Sequence, residues 1–172
     1  MRGKRVRRKL AATLAAVLLL SGCGASGQQF KLEAKPDSNR ALLYVYRPTT
    51  LLGIGNPDVP FIHLDGRRLG RIRIGGYLAI PISPGRHKLT TTESLLGNDT
   101  GRIRGDAVVA APAGSTIYLR YTESIKAIVP IPLPVGVILI SQGSYVFEFV
   151  PEAEALAELA NTQALELISE KQ

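Results

Sequence analysis

The sequence holds one cysteine, one methionine, two histidines and no tryptophan among its 172 residues. A single cysteine excludes an intramolecular disulfide, so the fold must stand on its core. Two histidines, His63 and His87, with no further His or Cys at ligand spacing, form no metal-binding pattern. No Gly-x-Ser-x-Gly elbow and no Ser-x-x-Lys pair supplies an activated nucleophile, so neither an enzyme nor a cofactor is expected. No apolar run of about 20 residues and no repeat of 20 to 50 residues is present. Surplus charge is also scarce once its position is considered. Net charge is +7, but six of the 21 basic residues lie within residues 1–9, which leaves 15 against 14 acidic ones. That near-balance argues against a nucleic-acid partner, which would need a basic surface to release phosphate counterions.

What is present begins at the N-terminus. Six cations in the first nine residues precede the apolar run Leu10-Ala-Ala-Thr-Leu-Ala-Ala-Val-Leu-Leu-Leu20. Those eleven residues rise about 16 Å as a helix, well short of a ~30 Å hydrocarbon core, so the run reads as an export signal. Arg7-Arg8 lacks the Ser and Phe of a twin-arginine signal. Leu20-Ser21-Gly22-Cys23 resembles the lipobox of bacterial lipoproteins. The resemblance implies removal of residues 1–22 and a diacylglycerol on the Cys23 thiol, which makes the membrane a partner through the anchor. Gly24 stands where an aspartate would resemble an inner-membrane retention signal, so an outer-membrane protein facing the periplasm is expected.

The remaining 150 residues suffice for one domain. Residues 23–40 read as the lipidated N-terminus and a flexible tether, 41–150 as a β-sandwich domain and 151–172 as an amphipathic C-terminal helix. Ala41–Arg47 is aromatic and apolar between turn residues, which marks a strand. Asp65-Gly66 separates 61–64 from 67–74 and favours a tight hairpin. Ser83-Pro84-Gly85 joins 77–82 to 86–92 in a second one. Further strands are expected at 102–104, 106–110, 116–122 and 145–150. The fold class is therefore mainly β: an antiparallel β-sandwich or small open barrel with one C-terminal helix. In that helix Pro151 suits the first position, Glu152 and Glu154 oppose the positive dipole end, and Leu156, Leu159, Ala160, Ala164, Leu167 and Ile168 share a face.

Ala41–Arg47, Leu64-Asp65-Gly66 with Leu69-Gly70, Gly76-Tyr77 and Pro84-Gly85-Arg86-His87 resemble an uncharacterised family of bacterial lipoprotein domains of unknown function over about 41–124. They also resemble the hairpins of PEGA-type surface domains. Both resemblances imply a non-catalytic β-sandwich and carry no catalytic residue to this chain.

Arg71, Arg73, Arg102 and Arg104 are the candidate anion-binding residues, provided their strands share a face. Lipid phosphates or carboxylates of a cell-wall polymer would be their ligands. The alternative is a solvated, charge-protected edge. Ala127–Ile140 is almost wholly apolar yet carries alternating prolines, which a central strand excludes. It is expected either to cross the core irregularly or to form an exposed apolar loop. The expectation is a lipid-anchored structural or interaction module with an envelope protein or cell-wall partner. The rivals are an anionic-ligand binder and, less favoured, a cryptic hydrolase with His63 or His87 beside an acid or nucleophile.

Overall fold

The computed structural model describes residues 25–49, 59–133 and 136–168, with the backbone alone over 123–143. The lipobox residues Leu20, Ser21, Gly22 and Cys23 lie outside the described residues.

Strand β1 (Ala41–Arg47) is buried along its whole length, which explains its apolar and aromatic run from Ala41 to Tyr46. Leu43 and Val45 point between the two sheets, while Leu42, Tyr44 and Tyr46 point to the opposite face. β4 (Gly76–Ile82) pairs antiparallel with β1, and β7 (Thr116–Leu133) pairs parallel with it over Thr116–Arg120. With β8 (Gly136–Phe149) and the short β9 (Gln163–Ala164) they form a five-stranded sheet of order β8-β7-β1-β4-β9. The second sheet has order β3-β2-β5-β6, from β2 (Phe61–Leu64), β3 (Arg67–Arg71), β5 (Gly85–Leu95) and β6 (Asn98–Ala111).

The two sheets stack as a sandwich over one core. Leu43, Val45, Leu78 and Ile80 from one meet Ile62, Leu64, Leu69, Leu89 and Val109 from the other. Turn chemistry holds the register as expected. Asp65 and Gly66 both adopt positive φ (50° and 82°), the geometry of a two-residue hairpin turn. The parallel β1/β7 pair is a departure from the antiparallel expectation, since no local pattern reports the hand of a pairing across some 70 residues.

The outer face of the five-stranded sheet is covered rather than solvated. Phe30 packs edge-on against Tyr44 and Tyr77, and Tyr44 stacks on Tyr118. Over residues 25–30 this departs from the flexible-tether expectation for 23–40, whereas most of 31–40 is exposed and residues 23 and 24 lie outside the described residues. Gln29 bridges Gln163, the Phe30 N–H donates to the Thr162 carbonyl, and the Ala25 N–H donates to the Ile74 carbonyl at 3.3 Å. The aromatic Phe30 buries area that a polar tether would leave in water.

The expectation of a helix over 151–172 is also corrected. Helix α1 spans Glu152–Leu159, and Pro151 precedes it as the N-cap with ψ 144°. Thr162 ends it by donating its hydroxyl to the Leu159 carbonyl at 2.7 Å. Residues 163–165 then find ladder partners, with Gln163 N–H donating to the Gly75 carbonyl and Leu165 N–H to that of Tyr77. Ala155 and Leu159 are buried, whereas Leu167 and Ile168 of the expected stripe are exposed.

Ala127–Ile140 is strand rather than irregular backbone where it is described. Ala127–Leu133 and Gly136–Ile140 make the two arms of the β7–β8 hairpin, with Val129 opposite Ile140, Ile131 opposite Ile138 and Leu133 opposite Gly136, and residues 134 and 135 lie outside the described residues. Pro130 and Pro132 lie two apart, so both missing donors fall on one side of β7. A ladder position needs its donor, so that side faces away from β8. β1 occupies it only along Thr116–Arg120.

Candidate functional site

Sheet register defines two ends of the sandwich. At one, the Arg47 end, β1 finishes opposite the start of β4 at Gly76, and Gly75 N–H donates to the Arg47 carbonyl at 2.8 Å. β3 also finishes there, because only residues 72–75 join it to β4. Arg71 stands opposite Phe61 and Phe61 opposite Thr92, so β5 points its C-terminal end the same way. The turn Leu96-Gly97 between β5 and β6 therefore lies at the Arg47 end, and β7, parallel to β1, leaves by it.

On β2, Ile62 and Leu64 enter the core, so Phe61 and His63 face outward. The guanidinium groups of Arg68 and Arg71 lie over the Phe61 ring at 5.3 and 5.1 Å. His63 Nε2 faces both Thr92 Oγ1 at 3.0 Å and Asp99 Oδ2 at 2.9 Å. Burial opposes the Asp99 charge, but hydrogen bonds from Thr92, the Gly101 N–H and His63 outweigh it and hold the carboxyl below its usual range. In a nucleophile relay the hydroxyl and the carboxylate take opposite ring nitrogens; here they share one. The arrangement fixes β2 to the β5–β6 hairpin. Chemically it is a cross-strand clamp.

The candidate arginines do not lie on neighbouring strands. β3 and β6 are opposite edges of their sheet, with β2 and β5 between them. Arg71 donates to Ser94 Oγ at 3.0 Å and to the Val59 carbonyl, and Arg104 is ion-paired with Glu93. Arg102 is exposed, and Arg73 is half-buried in the 72–75 link. What Arg71, Arg73 and Arg102 share is the end of the sandwich.

His87 sits at the other end, where it closes two turns together. Its Nε2 donates to the Ser83 carbonyl at 2.8 Å while Nδ1 meets Asp65 Oδ2. A third polar centre, absent from sequence reasoning, is Arg120. It reaches Glu148, Glu154 and Glu158 at 2.9, 2.9 and 2.6 Å, and Glu158 also accepts from the Tyr46 hydroxyl at 2.6 Å. Burial opposes the Arg120 charge, but the three carboxylates raise its pKa above the usual guanidinium value. Burial and Glu152 push Tyr118 up to about 12. No local motif joins residues 46, 120, 148 and 158, which meet only through the topology. Among the described residues no group of three His, Cys, Asp or Glu could hold a metal ion, and no helix is long and apolar enough to cross a membrane.

A family model described as "protein of unknown function (DUF2846)" matches residues 37–131. The chain belongs to that family. The DUF2846 match contains β1 to β6 whole and stops within β7, so it includes the His63 clamp and the Arg47 end. The docked segment around Phe30 and helix α1 lie outside it. No curated protein and no solved structure matches the chain.

Proposed function

We propose that this protein is a lipid-anchored module of the bacterial envelope, held at the outer membrane through acyl groups on Cys23 and acting by surface contact rather than catalysis. The observation that carries the reading is the junction Leu20-Ser21-Gly22-Cys23 behind a charged and then apolar segment, with Cys23 the only cysteine in the chain. Acylation caps a thiol that would otherwise meet an oxidising compartment alone, and more than one acyl chain gives a stable anchor.

Two features support a contact role. Both histidines bond within the fold, His87 between two turns and His63 between strands, so each is a structural tie. The hairpins, with Asp65-Gly66 and Pro84-Gly85-Arg86-His87 turns, resemble those of PEGA-type surface domains, which implies a non-catalytic sandwich.

Growth of expressing cells with an alkyne fatty acid, followed by mass spectrometry of the N-terminal peptide, tests the anchor. The expected result is an acylated peptide beginning at Cys23, and loss of label with accumulation of precursor in Cys23→Ala. A mature chain that keeps residues 1–22, or starts elsewhere without acyl groups, overturns the reading.

A further inference from the structure

The Arg47 end gathers features that the anchoring reading does not by itself require. Ala25, fastened to Ile74, lies at this end, and only Gly24 separates it from Cys23 in the sequence. Two residues of chain span at most about 7 Å, so an anchor at Cys23 leaves the body no slack to turn its other end to the bilayer.

The β7–β8 hairpin leaves by the same end. Beyond Arg120, which pairs with Tyr46, β7 has only β8 as its strand partner among the described residues. Its distal part, Ala127–Ile140, contains no charged residue. The longer described arm, Ala127–Leu133, at about 3.3 Å per residue gives a blade of about 20 Å, enough to pass the middle of one leaflet of a ~30 Å core but not to cross both. Pro130 and Pro132 remove two backbone donors from the open side of β7, and each unmade donor costs several kcal/mol in hydrocarbon. Residues that weaken a strand in a sheet thus reduce the desolvation cost of this one in lipid.

A second hairpin ends alongside. Leu95 and Leu96 at the β5–β6 turn are 63% and 95% exposed, and Leu96 holds a left-handed φ of 51° where Asn or Gly is the usual occupant. An exposed leucine kept in a costly backbone conformation points to a contact made outside the chain. Arg73 and Arg102 lie behind these apolar tips, at the level where lipid phosphates would meet them.

From this convergence we infer that the Arg47 end docks on the bilayer that holds the anchor: the Ala127–Ile140 blade inserts among acyl chains, the Leu95-Leu96 tip rests in the interface, and Arg73 and Arg102 bind phosphate groups. The orientation rests on the Cys23 reading, whereas insertion of the blade can be measured without it.

The chain contains no tryptophan, so single substitutions Ile138→Trp, Leu96→Trp and Ala113→Trp each give a unique fluorophore. Ala113, in the turn at the far end, is the reference. Purified mature protein is reconstituted in phosphatidylethanolamine/phosphatidylglycerol vesicles with or without acyl-chain bromine, which quenches at depth. Quenching of Ile138→Trp by at least threefold over Ala113→Trp, with intermediate quenching of Leu96→Trp, is the expected result. Equal quenching at Ile138→Trp and Ala113→Trp overturns insertion, whether or not the N-terminal peptide proves acylated. The same reading from a Cys23→Ser chain added to preformed vesicles separates the two claims: quenching there supports the blade even where acylation fails, and its absence in both preparations refutes the blade alone.

Discussion

His87 Nδ1 and Asp65 Oδ2 lie 2.7 Å apart and fasten the Asp65-Gly66 turn to the turn that precedes β5. Asp65 Oδ1 accepts the Lys88 N–H at 2.8 Å, so one carboxylate serves two partners.

That pair sets a pH window. The Asp65 hydrogen bond and then the Ser83 carbonyl raise the His87 pKa above 6.5, and His87 and the Lys88 N–H lower that of Asp65 below 3.8. A raised histidine stabilises fully below its unfolded value and loses that contribution as pH rises through its folded one; a lowered carboxylate stabilises above its unfolded value and loses it as pH falls. Stability from the pair is therefore greatest between about pH 4 and 6.5. Thermal unfolding of wild type should lose more Tm between pH 6 and 8 than His87→Gln does. Parallel curves for the two proteins would remove the pair from the account.

Arg120 should be a sensitive charge in the fold. Arg120→Met leaves Glu148, Glu154 and Glu158 facing one another without their shared cation, at a cost of about 2–3 kcal/mol in urea unfolding. Glu154 is 52% exposed, so Glu154→Gln should change stability by less than about 0.5 kcal/mol. Similar losses from both substitutions would contradict the shared-cation arrangement.

Leu96→Asn relieves the left-handed strain and should raise stability by about 1 kcal/mol, read as a higher urea midpoint. The same variant should weaken vesicle association of the Cys23→Ser chain. A gain in both would mean that the leucine serves nothing at the surface.

Gly27→Ala tests the docked segment. A Cβ there would lie 1.9 Å from the Ala164 carbonyl oxygen, so the strand contact at Gln29 cannot form undisturbed. Trypsin should cut at Lys31 several-fold faster than in wild type, while cleavage within β5 stays slow. An unchanged rate at Lys31 would show that the segment is held elsewhere.

Much of the sandwich was legible because turn chemistry is local. Asp65-Gly66 and Ser83-Pro84-Gly85 announce their turns, and the strands between them follow by alternation. The docking of residues 25–30 has no local signal because Phe30 is one aromatic among polar neighbours, and its partners Tyr44 and Tyr77 are named only by the fold. The helix was overextended because Ala164, Leu167 and Ile168 continue its period, while the competing ladder on β4 leaves no trace in sequence. For the arginines, spacing along the chain reported residue type but not sheet order. Arg71 and Arg102 share an end through hairpin register, which no local motif encodes.

The bridge between Gln29 and Gln163 joins nearly the first described residue to nearly the last. β1 likewise completes its pairing only when Thr116–Arg120 is available. A chain delivered N-terminus first therefore cannot seat its leading segment until almost all of it has emerged. Such long-range closure makes folding wait on the C-terminal strands, and on the export route proposed above it would keep the polypeptide threadable in transit.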